Sequence, residues 1–176
     1  STGCWGSDGG MTGAVAIRPC ARADLEATRA IYNQAVRETT WSWRWAELTG
    51  PEWQDYARAH TAGRQTFLVA EVDGVVAGFA NTGPFRAPDG YELTAEESVY
   101  VAPGCQGQGL GTALMEALVK RARSQGLHAL IAGIDAGNVP SLALHAKLGF
   151  AEVGRLPQVA HKFDRWLDLV FLELLL

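Results

Sequence analysis

Apolar and polar positions change period several times along the chain, and each change marks an element. "VAIRP" (Val15–Pro19) is a short apolar run stopped by proline, as a strand end is. "ADLEATRAIYNQAVRE" follows, with Leu25, Ile31, Tyr32, Ala35 and Val36 at helical spacing. Thr49 and Glu52 stand at capping-box spacing and predict a second helix running past Trp53, Tyr56 and Ala57. "TFLVAEVDGVVAGFANTG" reads as a hairpin, two β-branched and aromatic runs joined around Asp73-Gly74. "PFRAPDGYEL" is a loop by its Pro and Gly content and leads into a strand over Thr94–Val101. A helix carrying Leu110, Ala113, Leu114, Ala117 and Leu118 on one face comes next and stops at Gly126. "ALIAGI" is a buried strand, and "NVPSLALHAKLGF" a short helix with Pro140 near its first turn and Gly149 at its end. "AEVGRL" and "RWLDLVFLELLL" are late strands.

The order is therefore βααβββαβαββ, an α/β chain without internal repeats. Strands alternating with helices in its second half require a parallel crossover, and the hairpin makes the sheet mixed. At 176 residues the chain fits one domain. The opening "STGCWGSDGG" is Gly/Ser-rich and aperiodic; residues 1–12 are expected to be a disordered leader and 13–176 the folded domain, with Met11 a plausible natural start.

Charge narrows the function classes. The net charge is −4, and Lys and Arg are scattered apart from Lys120, Arg121 and Arg123, which fit the solvated face of a helix. A nucleic-acid partner, which needs a basic face, is not expected. The longest apolar tract, "LVFLELLL", is too short to span a bilayer and contains Glu173, so no membrane partner is expected either. Cys4, Cys20 and Cys105 lack metal-ligand spacing, and their odd number argues against a disulfide framework. No metal site and a cytoplasmic location follow as expectations.

The candidate chemistry centres on "QGQGLG", residues 106–111, lying between the strand "ESVYVAP" and the helix that follows. Glycine strips the loop of side chains, so main-chain N–H groups can converge beside the positive end of a helix, which suits phosphate or pyrophosphate. Glycine for a tight turn alone is the competing explanation. A P-loop is excluded because no Gly-Lys-Ser/Thr closes the motif. A dinucleotide fingerprint is excluded because too little chain follows for two nucleotide-binding halves.

"QGQGLG" preceded by "SVYVAP" and followed by "NVPSLALHAKLGF" resembles the Gcn5-related N-acetyltransferase (GNAT) superfamily. "GYELTAEESVYV", "SLALHAKLGF" and "HKFDRWLDLVFLEL" are similar to its phosphinothricin acetyltransferase-like branch, which acetylates small amino-acid-like amines. The resemblance runs from about Val15 to the C-terminus. It implies a mixed sheet of about seven strands with parallel strands 4 and 5 splayed, acetyl-CoA as cosubstrate, and a homodimer. It also implies that Gln106, Gly107, Gln108, Gly109, Leu110, Gly111 and Thr112 wrap the pyrophosphate. By the same resemblance the main chain at Val99, Tyr100 and Val101 meets pantetheine and the acetyl oxygen, and Asn138 and Ser141 touch pantetheine. For Asn138 and Ser141, helix capping is an equal explanation.

Glu96 is the expected general base. Alternation puts Glu96, Ser98 and Tyr100 on one face of a strand and Glu97, Val99 and Val101 on the other, so one of the two glutamates is expected to point into the cleft. The branch places its motif glutamate three residues before "VYV", which is Glu96, with Glu97 as the alternative. His145 occupies the position where many GNAT enzymes carry a tyrosine acid; proton donation to the thiolate, cofactor positioning and a purely structural role all stay open. Cys105 abuts the loop without an evident base and is expected to be filler.

On the acceptor side Trp41, Phe85, Arg86, Tyr91 and Lys162 are the expected substrate contacts, Arg86 as a carboxylate clamp. For Trp41, Trp43 and Trp45 together, core packing is the simpler expectation. The branch's Phe-Arg-x-Arg and Tyr-Arg here carry Pro88 and Glu92 at the second members, and Ala160 and Asp164 stand where glycine is common. Fewer cations argue against phosphinothricin itself. A non-catalytic acyl-CoA sensor and an acetyltransferase of protein N-termini or lysines are the alternatives.

Overall fold

The structure is a computed structural model that describes residues 14–176. The leader expected at 1–12 lies outside the described residues. Eleven regular elements follow the order read from the hydrophobic pattern. They are β1 (Val15–Pro19), α1 (Leu25–Glu38), α2 (Gly50–Ala59), β2 (Phe67–Val72), β3 (Val75–Pro84) and β4 (Thr94–Val101), then α3 (Leu110–Ser124), β5 (Ala129–Asp135), α4 (Val139–Lys147), β6 (Ala151–Lys162) and β7 (Arg165–Leu175). Local chemistry explains the boundaries. The Thr49 N–H donates to Glu52 Oε2 at 2.8 Å and the Glu52 N–H to Thr49 Oγ1 at 3.5 Å, the reciprocal cap that starts α2. Asp73 and Gly74 take φ of 50° and 82°, the left-handed pair that a two-residue hairpin requires.

The strands form one sheet in the order β1-β2-β3-β4-β5-β7-β6. Every neighbouring pair is antiparallel except β4–β5. Each face carries its own core. Val36, Trp53, Val69 and Phe79 pack under α1 and α2, while Leu110, Leu114, Met115, Leu118, Leu130 and Val170 pack under α3. All ten are buried, so both faces are sealed and the parallel pair sits at the centre.

The parallel pair positions the site. β4 and β5 are in register only from Thr94–Ala129 to Glu96–Ile131, although β4 continues to Val101 and β5 to Asp135. Beyond Glu96 the strands part, while β4 stays paired with β3 as far as Val101. The Ala102 N–H donates to Ala77 of β3, and strand parity turns the amides of Val99 and Val101 the other way, into the gap.

Several expectations change. The tryptophan cluster is not core: Trp41 is 40% and Trp45 78% exposed, Trp43 is half-buried, and among the described residues the core tryptophan is Trp53 at 1%. β6 is longer than "AEVGRL", running to Lys162 across an irregularity between Leu156 and Ala160 where Gln158 takes φ 51°. Pro157, which has no N–H to donate to a ladder, lies within that irregularity. Within "HKFDRW", Phe163 and Asp164 form a tight turn with φ of 51° and 56° between β6 and β7. Cys105 is buried and disulfide-bonded, against the expectation of a chain without disulfides.

Candidate active site

The gap between β4 and β5 opens into a cleft of about 520 Å³ walled by β4, the glycine loop, the end of β5 and α4. Gly104, Gly107 and Gly109 take φ of 80°, 73° and 84°, left-handed values that a side chain strains to adopt. Gly109 is the N-cap of α3, and no side chain caps that helix. Its first amides are left for water or an anion. A Cβ on Gly111 would lie 3.2 Å from Leu144 Cδ1, so glycine there lets α3 approach α4. Gln106 and Gln108 brace the loop from within, their side-chain N–H groups donating to the carbonyls of Val101 at 3.2 Å and Gly104 at 3.1 Å.

Val99, Tyr100, Val101, Gln106, Gly107, Gly109, Gly111, Thr112, Asn138 and Ser141 all line this cleft, as do His145 and Trp41. Leu110 is different: it is 1% exposed and packs into the core beneath the loop. The Tyr100 side chain also turns away, stacking on Phe79 at 5.2 Å, and strand parity turns its main chain toward β3. Asn138 caps α4 by accepting from the Ser141 N–H at 3.3 Å.

The pleat of β4 separates the two glutamates. Glu97 is 5% exposed and lines the cleft on the α4 face, where its Oε1 lies 2.7 Å from His145 Nε2. Nδ1 of His145 lies 2.7 Å from the Ser141 carbonyl oxygen, which only accepts, so Nδ1 carries a proton. Burial works against charging this ring, but the hydrogen bond and charge of Glu97 outweigh it and hold its pKa above the ordinary histidine value.

It is Glu97, the alternative, that lines the cleft; Glu96, expected there, occupies the opposite face, half-buried at the point where the strands part. A Cβ on Gly133 would sit 3.2 Å from Glu96 Oε1, so the bare Gly133 leaves room for that carboxylate beside the gap. Burial pushes the Glu96 pKa up, Arg86 draws it down, and Glu97 adds to the rise. A carboxylate so placed is a better proton acceptor than a solvated one.

The expected acceptor contacts are dispersed. Arg86 is exposed, with its guanidinium 4.6 Å over the Phe85 ring, and Phe85 packs edge-on to Tyr91 at 5.7 Å. These three stand on the β3–β4 connection outside the cleft wall, with Arg86 the cation that acts on Glu96. Lys162 does not fit a substrate contact. It is 4% exposed, and its ammonium donates to the carbonyls of Val36 at 2.7 Å, Thr39 at 2.8 Å and Ser42 at 2.5 Å. An ammonium has three protons, and all are used. Lys162 therefore ties the α1–α2 connection to β6.

Sequence reasoning missed that connection's second tie. The Thr40 hydroxyl donates to Asp135 Oδ2, and Asp135 Oδ1 accepts from the Gly137 N–H at 3.0 Å. Both Thr40 and Asp135 are buried, and together they fasten the wall that carries Trp41 to the end of β5. Thr40 and Asp135 stand 95 positions apart, and no local pattern joins them.

The chain matches the family model described as "Acetyltransferase (GNAT) family" over residues 29–150. It is 43% identical over 159 residues to an L-methionine sulfoximine/L-methionine sulfone acetyltransferase of Pseudomonas paraeruginosa, covering 90% of this chain and 92% of the relative. It is 38% identical over 157 residues to a phosphinothricin N-acetyltransferase of Streptomyces viridochromogenes, covering 89% and 85%. Among solved structures it is similar to the Salmonella typhimurium acetyltransferase yncA with its cofactor acetyl-CoA, with TM-score 0.89, 41% identity and coverage of 92% and 94%.

Proposed function

The chain belongs to the GNAT acetyltransferase family, and we propose that it moves the acetyl group of acetyl-CoA directly to the primary amine of a small amino-acid-like substrate. The observation that carries this reading is the parting of β4 and β5 at Glu96, which sets unpaired strand amides, a bare glycine loop and a half-buried carboxylate around one gap.

The residues present fit acetyl-CoA. The left-handed glycines and the uncapped start of α3 suit a diphosphate. The amides of Val99 and Val101 suit an extended chain with amides of its own, and the cleft beside them is lined by Leu144 and Ile134 as well as by polar groups. When bound, acetyl-CoA supplies the thioester. Glu96 takes the proton of the substrate ammonium, directly or through water. The strand amide at Val99 donates to the acetyl oxygen as negative charge develops there, without reorganising, and that at Val101, nearer the glycine loop, serves the extended chain. His145, protonated, stands on the other face of the sheet from Glu96 and serves the departing sulfur. Arg86 draws the substrate carboxylate toward the Glu96 side, and Trp41 walls the gap.

The curated relatives' amino-acid-like substrates support that substrate class. We place the enzyme in the cytoplasm and read it as a homodimer. Trp45, Phe163 and Trp166, each more than half exposed near the β6–β7 turn, support a protein contact there. Among the described residues no helix is long and apolar enough to cross a membrane.

The test is thiol release from acetyl-CoA across a panel of amines. Turnover with amino-acid-like amines that is lost on blocking the amine is the expected result. Acetyl-CoA binding with no transfer to any amine, or transfer confined to protein lysines, overturns the reading.

A further inference from the structure

The Glu97–His145 pair is a second ionisable unit at the gap, separate from the base. Glu97 is the first residue of β4 past the last rung shared with β5, so its carboxylate stands where the strands begin to part. The ring of His145 is held at both nitrogens, by Glu97 Oε1 at 2.7 Å and by the Ser141 carbonyl at 2.7 Å. Phe150 closes edge-on against it, centroids 5.0 Å apart. The charged group facing the ring is Glu97, from β4; Ser141 within α4 and Phe150 after it are neutral.

Such a pair is a poor choice for stability alone. Two apolar side chains of similar volume generally hold a core as well as a buried ion pair. Here the second carboxylate oxygen, Oε2, is buried without a hydrogen-bond partner, which costs stability further. Both residues also border the cleft, with their side chains buried against it.

Resting on the acetyl-transfer reading above, we propose that Glu97 is a positioning residue for thiolate release: it fixes the His145 ring and keeps it protonated on the face of the sheet opposite Glu96. The substrate ammonium first gives one proton to Glu96, which passes it to solvent; the amine nitrogen then bonds to the acetyl carbon and its next proton passes to Glu96. The carbon–sulfur bond breaks with its electron pair on sulfur, beside the cationic ring. Both ring protons stay on their partners, Nε2–H on Glu97 Oε1 and Nδ1–H on the Ser141 carbonyl, so the sulfur takes its proton from solvent. Solvent then removes the proton from Glu96.

The influences on His145 give the sign of the test. Burial alone lowers its pKa, and Glu97 is what reverses the direction. Removing the charge of Glu97 leaves burial in command.

The experiment is an NMR titration of His145 in the full chain without ligand, using labelled histidine assigned with His145→Gln, for the parent protein, Glu97→Gln and Glu97→Asp. The pH profile of kcat is measured on the same proteins. The parent ring is expected to titrate above the ordinary histidine value. Its midpoint is expected to fall by about one pH unit or more in Glu97→Gln, a tenfold change in proton affinity or greater, and the high-pH limb of kcat to fall with it. Glu97→Asp, which keeps the charge, is expected to shift less, and it carries the test if Glu97→Gln does not fold. An unmoved His145 midpoint in Glu97→Gln, or in Glu97→Asp where that alone folds, overturns the proposal. So does a moved midpoint with an unmoved kcat limb. Absence of acetyl transfer in the parent protein would instead defeat the enzymatic reading, and with it the assignment to thiolate release, while the titration reports on the pair by itself.

Discussion

The two sides of the gap are built differently. On the side of α3 and α4, contiguous main chain does the work: one strand edge, one glycine loop and one helix start lie within residues 97–112. On the side of α1 and α2, the wall is assembled from distant parts. Lys162 reaches Val36, Thr39 and Ser42, and Thr40 reaches Asp135. Main-chain donors are the same whatever the side chains, so the first side suits an invariant partner. A wall hung on long-range side-chain ties can change its lining by substitution. The acceptor is where such an enzyme needs variety, and the contrast matches that division.

The largest expected effect is on the base. Glu96→Gln keeps the shape of the side chain and removes proton acceptance, so kcat should fall about 10²–10⁴-fold at neutral pH in the thiol-release assay. Unchanged turnover would remove Glu96 from the chemistry. Next is the loop. Gly109→Val forces a β-branched residue into φ 84°, and Gly111→Val adds bulk where a Cβ already meets Leu144 at 3.2 Å. Both should weaken acetyl-CoA binding, by about tenfold or more on loss of well-placed phosphate donors, with little change in the amine KM. An effect confined to the amine would blur the contrast between the two sides.

Lys162→Met tests the opposite wall. It strands three carbonyls in a buried site and should lower unfolding free energy in urea by about 1–3 kcal/mol. Amine KM should rise more than acetyl-CoA KM as the Trp41 wall loosens. The smallest effect is a pH shift. Burial raises the Glu96 pKa and Arg86 lowers it, so the acid limb of kcat/KM lies above the usual glutamate range, and Arg86→Ala should move it further up. A downward shift would contradict the placement of Arg86. The Glu97–His145 pair also makes stability depend on pH. A histidine raised on folding contributes fully below its unfolded pKa of about 6.5, and the contribution is lost as pH rises through the higher folded value. Thermal melts of parent and His145→Gln should converge as pH rises across that window.

The legible part of this chain was local. Periodicity placed all eleven elements in order, because each amphipathic stretch must present one face to the sheet it covers. The glycine loop was legible because left-handed turns and bare amides demand glycine at fixed spacing. The split of Glu96 from Glu97 followed from strand alternation, but which partner each would find did not. His145 is 48 positions from Glu97 and joins it only because the βα crossover lays α4 against β4. Lys162 misled for the opposite reason. A lysine beside aromatic residues looks like a surface contact, and only the fold brings the carbonyl ends of α1 to its ammonium. The tryptophans misled because hydrophobicity argues for burial, whereas a wall beside a cleft, or a surface awaiting a partner, keeps them exposed.

The central claim is that main-chain donors at the start of α3 hold a diphosphate and so set a thioester at the gap. Calorimetric titration of the parent chain with acetyl-CoA and with acetyl-pantetheine, which lacks the diphosphate, tests it directly. The account predicts that acetyl-CoA binds at least about a hundredfold more tightly, roughly 2.7 kcal/mol, and that Gly109→Val abolishes most of that difference. Equal affinity for the two, or a difference that survives Gly109→Val, would contradict it.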